Sequence, residues 1–370
     1  MTDLTATDHH YMAMALRLAE KGVYTTHPNP CVGCVIVKDN VVVGSGYHAR
    51  AGEGHAEVNA LKQAGEAAQG ATAYVTLEPC AHQGRTGPCA VALTEAGIRR
   101  VVVAMLDPYP KVAGEGIKIL QNHQVQVDCP IMESSARALN PGFLSSFERQ
   151  RPYTRLKLAM SLDGKTALAN GESKWITGPE ARQDVQRLRA RSAAIVTGVQ
   201  TVIDDDPSLR IRAEELNEAD ADLIAAIPRR RVVLDSTLRM PHEGNILGPD
   251  LTVITGVTPP ENLPFDAVQL ALQDNRISLA ALMQWLKDED LHEVLFECGG
   301  TLAGSLLAEG WVDELIVYMA PRLMGGDGRS LLGMEGITRM ADVHQLDISS
   351  VIRVGDDIKI TAVPRLKAVY

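Results

Sequence analysis

The chain has 370 residues, of which 45% are hydrophobic and 22% are charged, and its formal net charge is −10. This length predicts two domains, each large enough to bury its own core. The acidic balance disfavours a nucleic-acid-binding surface, which is normally basic, and no run of about 18 apolar residues predicts a membrane span.

The cysteines and the N terminus indicate the compartment. The first residues lack the basic region and the apolar stretch of a secretory signal. Six cysteines in a chain of this length do not resemble a disulfide framework. These features predict a cytoplasmic protein with no membrane or nucleic-acid partner.

In chain order, the first half alternates helical and strand patterns. An amphipathic helix is predicted over residues 9–21, and two prolines then interrupt the chain before a predicted hairpin. The remaining elements are predicted helices over residues 55–64 and 88–96 and strands over residues 72–77, 101–106 and 125–127. Such alternation predicts a three-layer α/β/α domain that ends near residue 147.

The chemistry of this half is concentrated in His55, Glu57, Cys80 and Cys89. One imidazole and two thiolates are ligands that zinc prefers, and three protein ligands leave a fourth position open for water. Zinc deaminases that act on nucleobases carry the pattern H-x-E…P-C-x-x-C, in which the glutamate is the acid/base and not a ligand. This sequence departs from that pattern because residues 81–88 separate the two cysteines.

Structural interpretations of these residues compete with the zinc interpretation. A structural zinc site normally has a fourth Cys or His, which would leave Glu57 without a role. Cys31 and Cys34 form a CxxC that enters a β-branched run, so buried thiols are favoured over a redox pair. The polar loop 81–88 is interpreted either as an ordinary surface loop or as one wall of a substrate pocket.

The second half follows a charged linker that ends at Pro152. Strands are predicted over residues 155–160, 195–198, 231–235, 251–255, 294–297, 312–319 and 358–363. A capping box formed by Thr177 and Glu180 predicts a helix to about residue 191, whereas residues 201–207 are predicted as a loop and residues 213–228 as a peripheral helix.

A strand leads directly into a glycine-rich helix start at residues 298–304. Open backbone N–H groups at a helix N terminus suit the phosphates of a cofactor. The pattern does not match G-x-G-x-x-G, so a Rossmann domain is not predicted.

Several motifs together resemble the RibD family of bifunctional riboflavin-biosynthesis deaminase/reductases. In the first half they are Thr26-His-Pro-Asn-Pro30, Gly46-Tyr-His48, Gly54-His-Ala-Glu57 and Leu77-Glu-Pro-Cys80 with Cys89. The resemblance implies a cytidine-deaminase-like domain with one zinc ion per chain, bound by His55, Cys80 and Cys89, and with Glu57 as proton shuttle. It also implies that the substrate contacts Asn29, His48, His82 and Arg85. Ala81 and Gly87 depart from residues that are common in the family, which puts the rigidity of the loop in question.

The second half resembles the dihydrofolate-reductase-like domain of the same family through Lys157-Leu-Ala-Met-Ser-Leu-Asp-Gly164, Gly171-Glu-Ser-Lys-Trp-Ile-Thr177, Asp205-Asp-Pro207 and Gly299-Gly-Thr-Leu302. The resemblance implies that NADPH is lined by Ala159, Trp175, Thr201, Asp205, Ser236, Gly299, Gly300, Thr301, Leu302, Ala303, Gly304 and Ser305. It implies substrate contacts from Ser173, Arg189, Leu209, Arg212 and Glu297. Gly300 stands where the family often has proline, which predicts a looser turn.

The expected function is therefore twofold. The resemblance implies a deaminase domain over residues 1–147, a reductase domain over residues 152–370, a phosphoribosylaminopyrimidine substrate and a homo-oligomer. A nucleobase or tRNA deaminase with an unrelated C-terminal domain is the alternative enzyme, and a zinc-stabilised binding module without activity is the alternative outside catalysis.

Overall fold

The computed structural model describes residues 4–81, 87–110, 112–334 and 336–365. The chain divides into two compact units, residues 1–150 and 151–370. Among the described residues, no helix has the length and apolar character needed to cross a membrane.

The first unit is a five-stranded sheet with helices on both faces. Its helices are α1 (Ala6–Ala19), α2 (Ala56–Ala64), α3 (Cys89–Glu95), α4 (Glu115–Asn122), α5 (Glu133–Leu139) and α6 (Pro141–Glu148), with short 3-10 helices at Glu20–Gly22 and Gly65–Ala68. Its strands are β1 (Gly33–Lys38), β2 (Val41–Tyr47), β3 (Thr72–Val75), β4 (Arg100–Val103) and β5 (Gln126–Asp128). The strand order is β2-β1-β3-β4-β5, and β3, β4 and β5 are parallel.

Two apolar clusters place the helices on opposite faces of this sheet. One cluster contains Ala60 of α2 and Leu120 of α4, and the other contains Met12 of α1 and Leu144 of α6. The three-layer α/β/α prediction is confirmed. A side chain at Gly46 is excluded, because its Cβ would lie 2.5 Å from the carbonyl oxygen of Ala56. This close approach fixes the start of α2 against β2.

The second unit is a mixed α/β domain. Its helices are α7 (Pro179–Arg191), α8 (Val199–Asp205), α9 (Ala213–Leu216), α10 (Ala221–Ala226), α11 (Leu279–Asp288) and α12 (Gly300–Ala308), with a 3-10 helix at Met340–Asp342. Its strands are β6 (Tyr153–Ser161), β7 (Lys165–Ala167), β8 (Ala194–Gly198), β9 (Arg230–Leu234), β10 (Leu251–Thr255), β11 (Asp266–Gln269), β12 (Leu272–Gln273), β13 (Arg276–Ile277), β14 (Glu293–Glu297), β15 (Glu314–Ala320), β16 (Arg329–Ser330), β17 (Leu346–Val354) and β18 (Asp357–Pro364).

Nine of these strands form one sheet in the order β11-β10-β9-β8-β14-β6-β15-β18-β17. The strands from β11 to β15 are parallel, whereas β18 and β17 add an antiparallel edge. One core cluster packs α11 and α12 on the sheet, and further clusters pack α7 and α8. The carboxyl ends of the parallel strands therefore meet at one edge, where ligands bind in open α/β sheets.

Three local predictions in the second half are wrong. Residues 199–205 form helix α8 instead of a loop, because Val199 and Val202 pack into an apolar cluster. The N-cap of α7 is Gly178, with no side-chain capping bond. The peripheral segment 213–228 forms two short helices instead of one.

Candidate active sites

Three predicted zinc ligands meet in the first unit. His55 is the N-cap of α2, Cys80 follows β3, and Cys89 is the first residue of α3. Their ligand atoms all lie within 4.8 Å of one another. The Nδ1 atom of His55 is 3.2 Å from the Sγ of Cys89 and 3.6 Å from the Sγ of Cys80.

These distances fit a zinc ion. Tetrahedral bonds of about 2.1 Å to nitrogen and about 2.3 Å to sulfur separate the two donor atoms by about 3.6 Å. The N···S distances of 3.2 and 3.6 Å match this spacing. The donor set also fits zinc chemically, and its three members leave one coordination position for a reacting molecule.

Glu57 lies in the first turn of α2, two residues after the histidine, and its side chain is buried. Burial is the main reason that the pKa of Glu57 is raised to about 7, and the neighbouring Cys80 thiolate adds to the effect. A carboxyl group in this setting can both accept and donate a proton near neutral pH, as a general acid/base must.

The two thiols differ in their proton affinity. A hydrogen bond with Cys89 is the main cause that lowers the pKa of Cys80 to about 4. The backbone N–H of Cys89, at the start of α3, donates to the Sγ of Cys80 at 3.2 Å. The same partnership, with burial, raises the pKa of Cys89. The helix N terminus therefore stabilises the thiolate of Cys80.

Asn29 and His48 lie beside the metal ligands. The His48 and His55 rings meet edge to face, with centroids 5.5 Å apart. Nδ1 of His48 lies 3.2 Å from the Gly54 carbonyl, which can only accept, so this nitrogen carries the proton. Burial lowers the pKa of His48, and the other nitrogen of the neutral ring accepts from Asn29 Nδ2 at 3.1 Å. The amide oxygen of Asn29 is then available to a heterocycle.

Glu78 is a buried residue whose role the sequence did not reveal. One carboxylate oxygen accepts from the backbone N–H groups of Asp107 and Gly114, at 3.2 and 2.9 Å, and the other from Gly116 and Ile117, at 3.0 and 3.3 Å. Two of these donors belong to the first turn of α4, where negative charge is favoured. These bonds form a clamp that holds Asp107 and the start of α4 against the segment that carries Cys80. A charged residue directly after a buried strand was the only sequence signal for it.

Gly116 is the point of closest contact in this clamp. A Cβ at this position would lie 1.9 Å from the carbonyl oxygen of Pro79, the residue before Cys80. We expect Gly116→Ala to displace Cys80 and to weaken zinc affinity by about 10- to 100-fold, the range for loss of groups that orient a ligand. Competition with a metal chelator measures this affinity.

Gly326→Ala is the matched control for that substitution, because a Cβ at Gly326 meets no atom within 4 Å. Zinc affinity in the control should equal that of the unsubstituted chain. An unchanged affinity in Gly116→Ala would show that Pro79 does not transmit the displacement to Cys80.

His82 and Arg85, the two other predicted contacts of the deaminase substrate, lie outside the described residues. Ala81 and Gly87 border that segment, and a Cβ at Gly87 would meet no atom of the described residues within 4 Å. Neither departure from the family pattern affects a ligand position.

In the second unit, an ion pair whose side chains are only 13% and 11% exposed joins two predicted substrate contacts. Arg189 of α7 donates from Nε and Nη2 to the two carboxylate oxygens of Glu297, at 2.6 and 3.0 Å. Burial alone would favour the neutral carboxyl, but the guanidinium of Arg189 keeps the pKa of Glu297 below its ordinary value. Lys157 Nζ lies 3.9 Å from the same carboxylate. Two N–H groups of the Arg189 guanidinium are thus occupied by Glu297, which leaves fewer donors for a substrate.

The guanidinium of Arg212 has an N–H group that no described residue accepts. Its Nη2 donates to Glu215 at 2.7 Å, while its buried Nε has no hydrogen-bond partner among the described residues. Leu209, three residues earlier, is buried with a φ of 52°. The Arg189 Nη1 donates to the carbonyl of Arg210 at 3.2 Å, which brings the 209–212 segment beside α7.

The carboxyl edge of the sheet fits a nicotinamide cofactor. The Thr197 hydroxyl of β8 and one carboxylate oxygen of Asp235, next to β9, are buried without a partner in the described chain. At the start of α12, a Cβ on Gly299 would meet no atom within 4 Å. Unpaired polar atoms and an open helix N terminus are what a dinucleotide requires at such an edge.

The other predicted cofactor residues are distributed over several elements. Ala159 lies in β6, Thr201 and Asp205 lie in α8, and the Ser236 hydroxyl accepts from the Ile277 N–H at 3.2 Å. Trp175 is 59% exposed, and the Arg182 guanidinium lies 4.8 Å from the centre of its ring. The predicted helix set is Gly300, Thr301, Leu302, Ala303, Gly304 and Ser305, all within α12. Ser173 belongs to the segment before α7.

The turn at Gly300 is held by its neighbours. The N–H of Gly333 donates to the Gly300 carbonyl at 2.9 Å, and a Cβ on Gly300 would lie 3.0 Å from the Leu331 carbonyl oxygen. The glycine thus allows residues 331–333 to pack on the start of α12.

Comparison with known proteins finds a family match in each half of the chain. Residues 152–360 match the RibD C-terminal domain, and residues 5–105 match the cytidine and deoxycytidylate deaminase zinc-binding region. The riboflavin biosynthesis protein RibD of Escherichia coli (strain K12) is 48% identical, over 95% of this chain and 98% of that protein.

The chain belongs to the RibD family. The match over residues 152–360 disfavours the alternative of an unrelated C-terminal domain. Among solved structures, Acinetobacter baumannii RibD, form 1, superposes with a TM-score of 0.90 at 45% identity, covering 97% of this chain and 99% of that chain.

A Thermotoga maritima structure covers the same shares of the two chains, with a TM-score of 0.85 at 29% identity. It is described as a diaminohydroxyphosphoribosylaminopyrimidine deaminase/5-amino-6-(5-phosphoribosylamino)uracil reductase. The correspondence extends across both units of the present chain.

Proposed function

We propose that this bifunctional enzyme of riboflavin biosynthesis deaminates 2,5-diamino-6-(5-phosphoribosylamino)pyrimidin-4-one and then reduces its ribosyl group to ribityl with NADPH. The observation that carries the first step is the cluster of His55, Cys80 and Cys89 beside the buried carboxyl of Glu57. We assign residues 1–147 to the deaminase and residues 152–370 to the reductase.

One zinc ion per chain would be held by the two thiolates and the imidazole. When bound, the metal supplies a Lewis acid that lowers the pKa of a water molecule towards about 7. Glu57 takes the proton from the attacking water and returns it to the amino group that leaves as ammonia. Asn29 orients the heterocycle through the amide group that the neutral His48 fixes in place.

In the second unit, bound NADPH would supply the hydride that reduces the ribosyl group. The start of α12 would hold the cofactor phosphates through its open backbone N–H groups. Arg212 and the Arg189–Glu297 pair orient the phosphoribosyl chain, and the unpaired Nε of Arg212 gives a donor for its phosphate. The remaining substrate and cofactor residues keep the roles that the family resemblance implies.

A single assay tests the proposal. Purified zinc-loaded protein is incubated with the phosphoribosylaminopyrimidine and NADPH, and ammonia and NADPH are measured together. Ammonia release followed by substrate-dependent NADPH loss is expected. Ammonia without NADPH loss would contradict the reductase assignment, and neither signal from zinc-loaded protein would favour a binding module.

We also infer a homo-oligomer formed through β17, which ends the nine-stranded sheet. Its exposed side chains include Ile348 and Ile352, which are 63% and 50% exposed. Antiparallel pairing of two copies about Ser350 would place Asp347 of each copy opposite Arg353 of the other.

Light scattering should show a dimer or a higher oligomer of the unsubstituted chain, and Ile348→Lys should convert this oligomer to a monomer. A monomeric unsubstituted chain would contradict this inference.

A cytoplasmic location is proposed from the thiols. None of the six cysteines, all of which lie in the described part of the chain, forms a disulfide, as expected for a protein of a reducing compartment.

A further inference from the structure

Asn140 lies between α5 and α6, far along the chain from the metal ligands. Its buried side chain makes two hydrogen bonds to one residue, Cys31. The amide oxygen accepts from the Cys31 N–H at 2.7 Å, and the amide nitrogen donates to the Cys31 carbonyl at 3.0 Å. The Asn140 amide thus forms with the N–H and the C=O of Cys31 the two hydrogen bonds that a neighbouring β-strand would otherwise form.

Local structure does not account for this use of the amide. Asn140 is the N-cap of α6, a position where asparagine normally accepts from the next turn of the helix, yet it makes no such capping bond. The side chain instead reaches a residue 109 positions earlier. The Asn140 side chain therefore binds the segment around Cys31 instead of capping α6.

The segment around Cys31 forms one side of the deaminase site. Residues 26–32 lie outside regular secondary structure, and Asn29 is held there by the bond from its N–H to the Thr26 carbonyl at 2.8 Å. On the other side of Cys31, the carbonyl of Val32 accepts from the His48 N–H at 2.9 Å. Cys31 is therefore the anchor between the two residues, Asn29 and His48, whose side chains meet beside the metal ligands.

We infer that Asn140 is a positioning residue of the deaminase, which holds the Asn29 segment in the geometry that binds the pyrimidine. This inference rests on the proposed function, because it requires Asn29 to contact substrate. Asn140 lies outside residues 5–105, the region that matches the deaminase zinc-binding family. The deaminase site therefore depends on the α5–α6 segment as well as on the matched region.

The test separates substrate binding from chemistry. Asn140→Asp has the same shape and can accept from the Cys31 N–H, but it cannot donate to the Cys31 carbonyl. Asn140→Ala loses both bonds. Because Glu57 and the metal ligands are untouched, we expect KM for deamination to rise about tenfold in Asn140→Asp, with kcat within about twofold. Zinc content and NADPH oxidation by the same chain, assayed with the deaminated substrate, should not change.

Arg137→Gln is the matched control. Arg137 of α5 binds Glu148 of α6 at 2.5 Å, so this substitution removes a link within the same helix pair without touching Cys31. Its deaminase KM should stay at the level of the unsubstituted chain. An equal rise in KM would assign the effect to the helix pair and overturn the inference.

A combined variant tests the route of the effect. If Asn140 acts through Asn29, then Asn140→Asp should add little to the KM of Asn29→Ala, as expected for coupled residues. Additive effects, or a fall in kcat at unchanged KM in Asn140→Asp, would overturn the positioning role. If Asn140→Ala fails to fold, the isosteric variant still decides the question. Absence of ammonia release in the unsubstituted protein would instead reject the proposed function.

Discussion

Glu57→Gln is expected to abolish deamination while leaving the metal in place. The substitution keeps the shape of a fully enclosed side chain and removes its ability to take a proton from water. General acid–base catalysis contributes about 10²- to 10⁴-fold, so kcat for ammonia release should fall by about 10³-fold. Zinc content should be unchanged, because Glu57 is not among the three donors that meet at the site.

Two comparisons make the result specific. NADPH oxidation by the same variant, supplied with deaminated substrate, should proceed at the unsubstituted rate. Glu53→Gln removes an exposed carboxylate four residues earlier and should leave ammonia release nearly unchanged. Ammonia release at the full rate in Glu57→Gln would remove this residue from the mechanism.

The meeting of His55, Cys80 and Cys89 was predictable because residue type and spacing indicate a shared zinc site. A histidine with a glutamate two residues later, followed by a Pro-Cys pair and a further cysteine, has few interpretations other than a zinc deaminase. The glycine-rich start of α12 was predictable for the same reason, since a helix that begins with glycines after a buried strand leaves its N–H groups open.

Contacts between distant segments were not predictable in this way. Glu78 receives N–H groups from residues 29 to 39 positions later, and Asn140 reaches back to Cys31. Neither contact leaves a periodic pattern, because each depends on how the layers of the domain stack. The stronger proton affinity of Cys89 than of Cys80 likewise depends on where one N–H points at the start of α3.

The prediction of a loop in place of helix α8 was wrong for a different reason. Three consecutive aspartates and a proline at residues 204–207 favour a loop. The preceding residues form a helix because two valines on one face pack into the core of the second unit. Tertiary packing therefore decided an element whose local sequence was ambiguous.

The largest effect in the second unit is expected from Arg189→Met. The substitution leaves the carboxylate of Glu297, which is 11% exposed, with the Lys157 ammonium at 3.9 Å. Breaking a buried pair by removing one partner costs about 3–5 kcal/mol. The pKa of Glu297 should rise, and NADPH oxidation should fall by about 100-fold or more, while ammonia release stays unchanged. All three tryptophans of the chain lie beyond residue 150, so urea unfolding followed by their fluorescence reports the stability of this unit.

Further variants separate the stability of the pair from its role in reduction. Arg189→Met combined with Glu297→Gln removes the unpaired charge, so the unfolding midpoint should recover while NADPH oxidation stays low. Arg187→Gln, two residues away on α7, removes a half-exposed arginine that pairs with Asp184 at 3.5 Å, and it should change neither quantity by much. Recovery of reduction in the double variant would show that the pair only stabilises the fold. A low rate at a restored midpoint would place the carboxylate and guanidinium in the binding of the phosphoribosyl chain, because stability alone could no longer explain the loss.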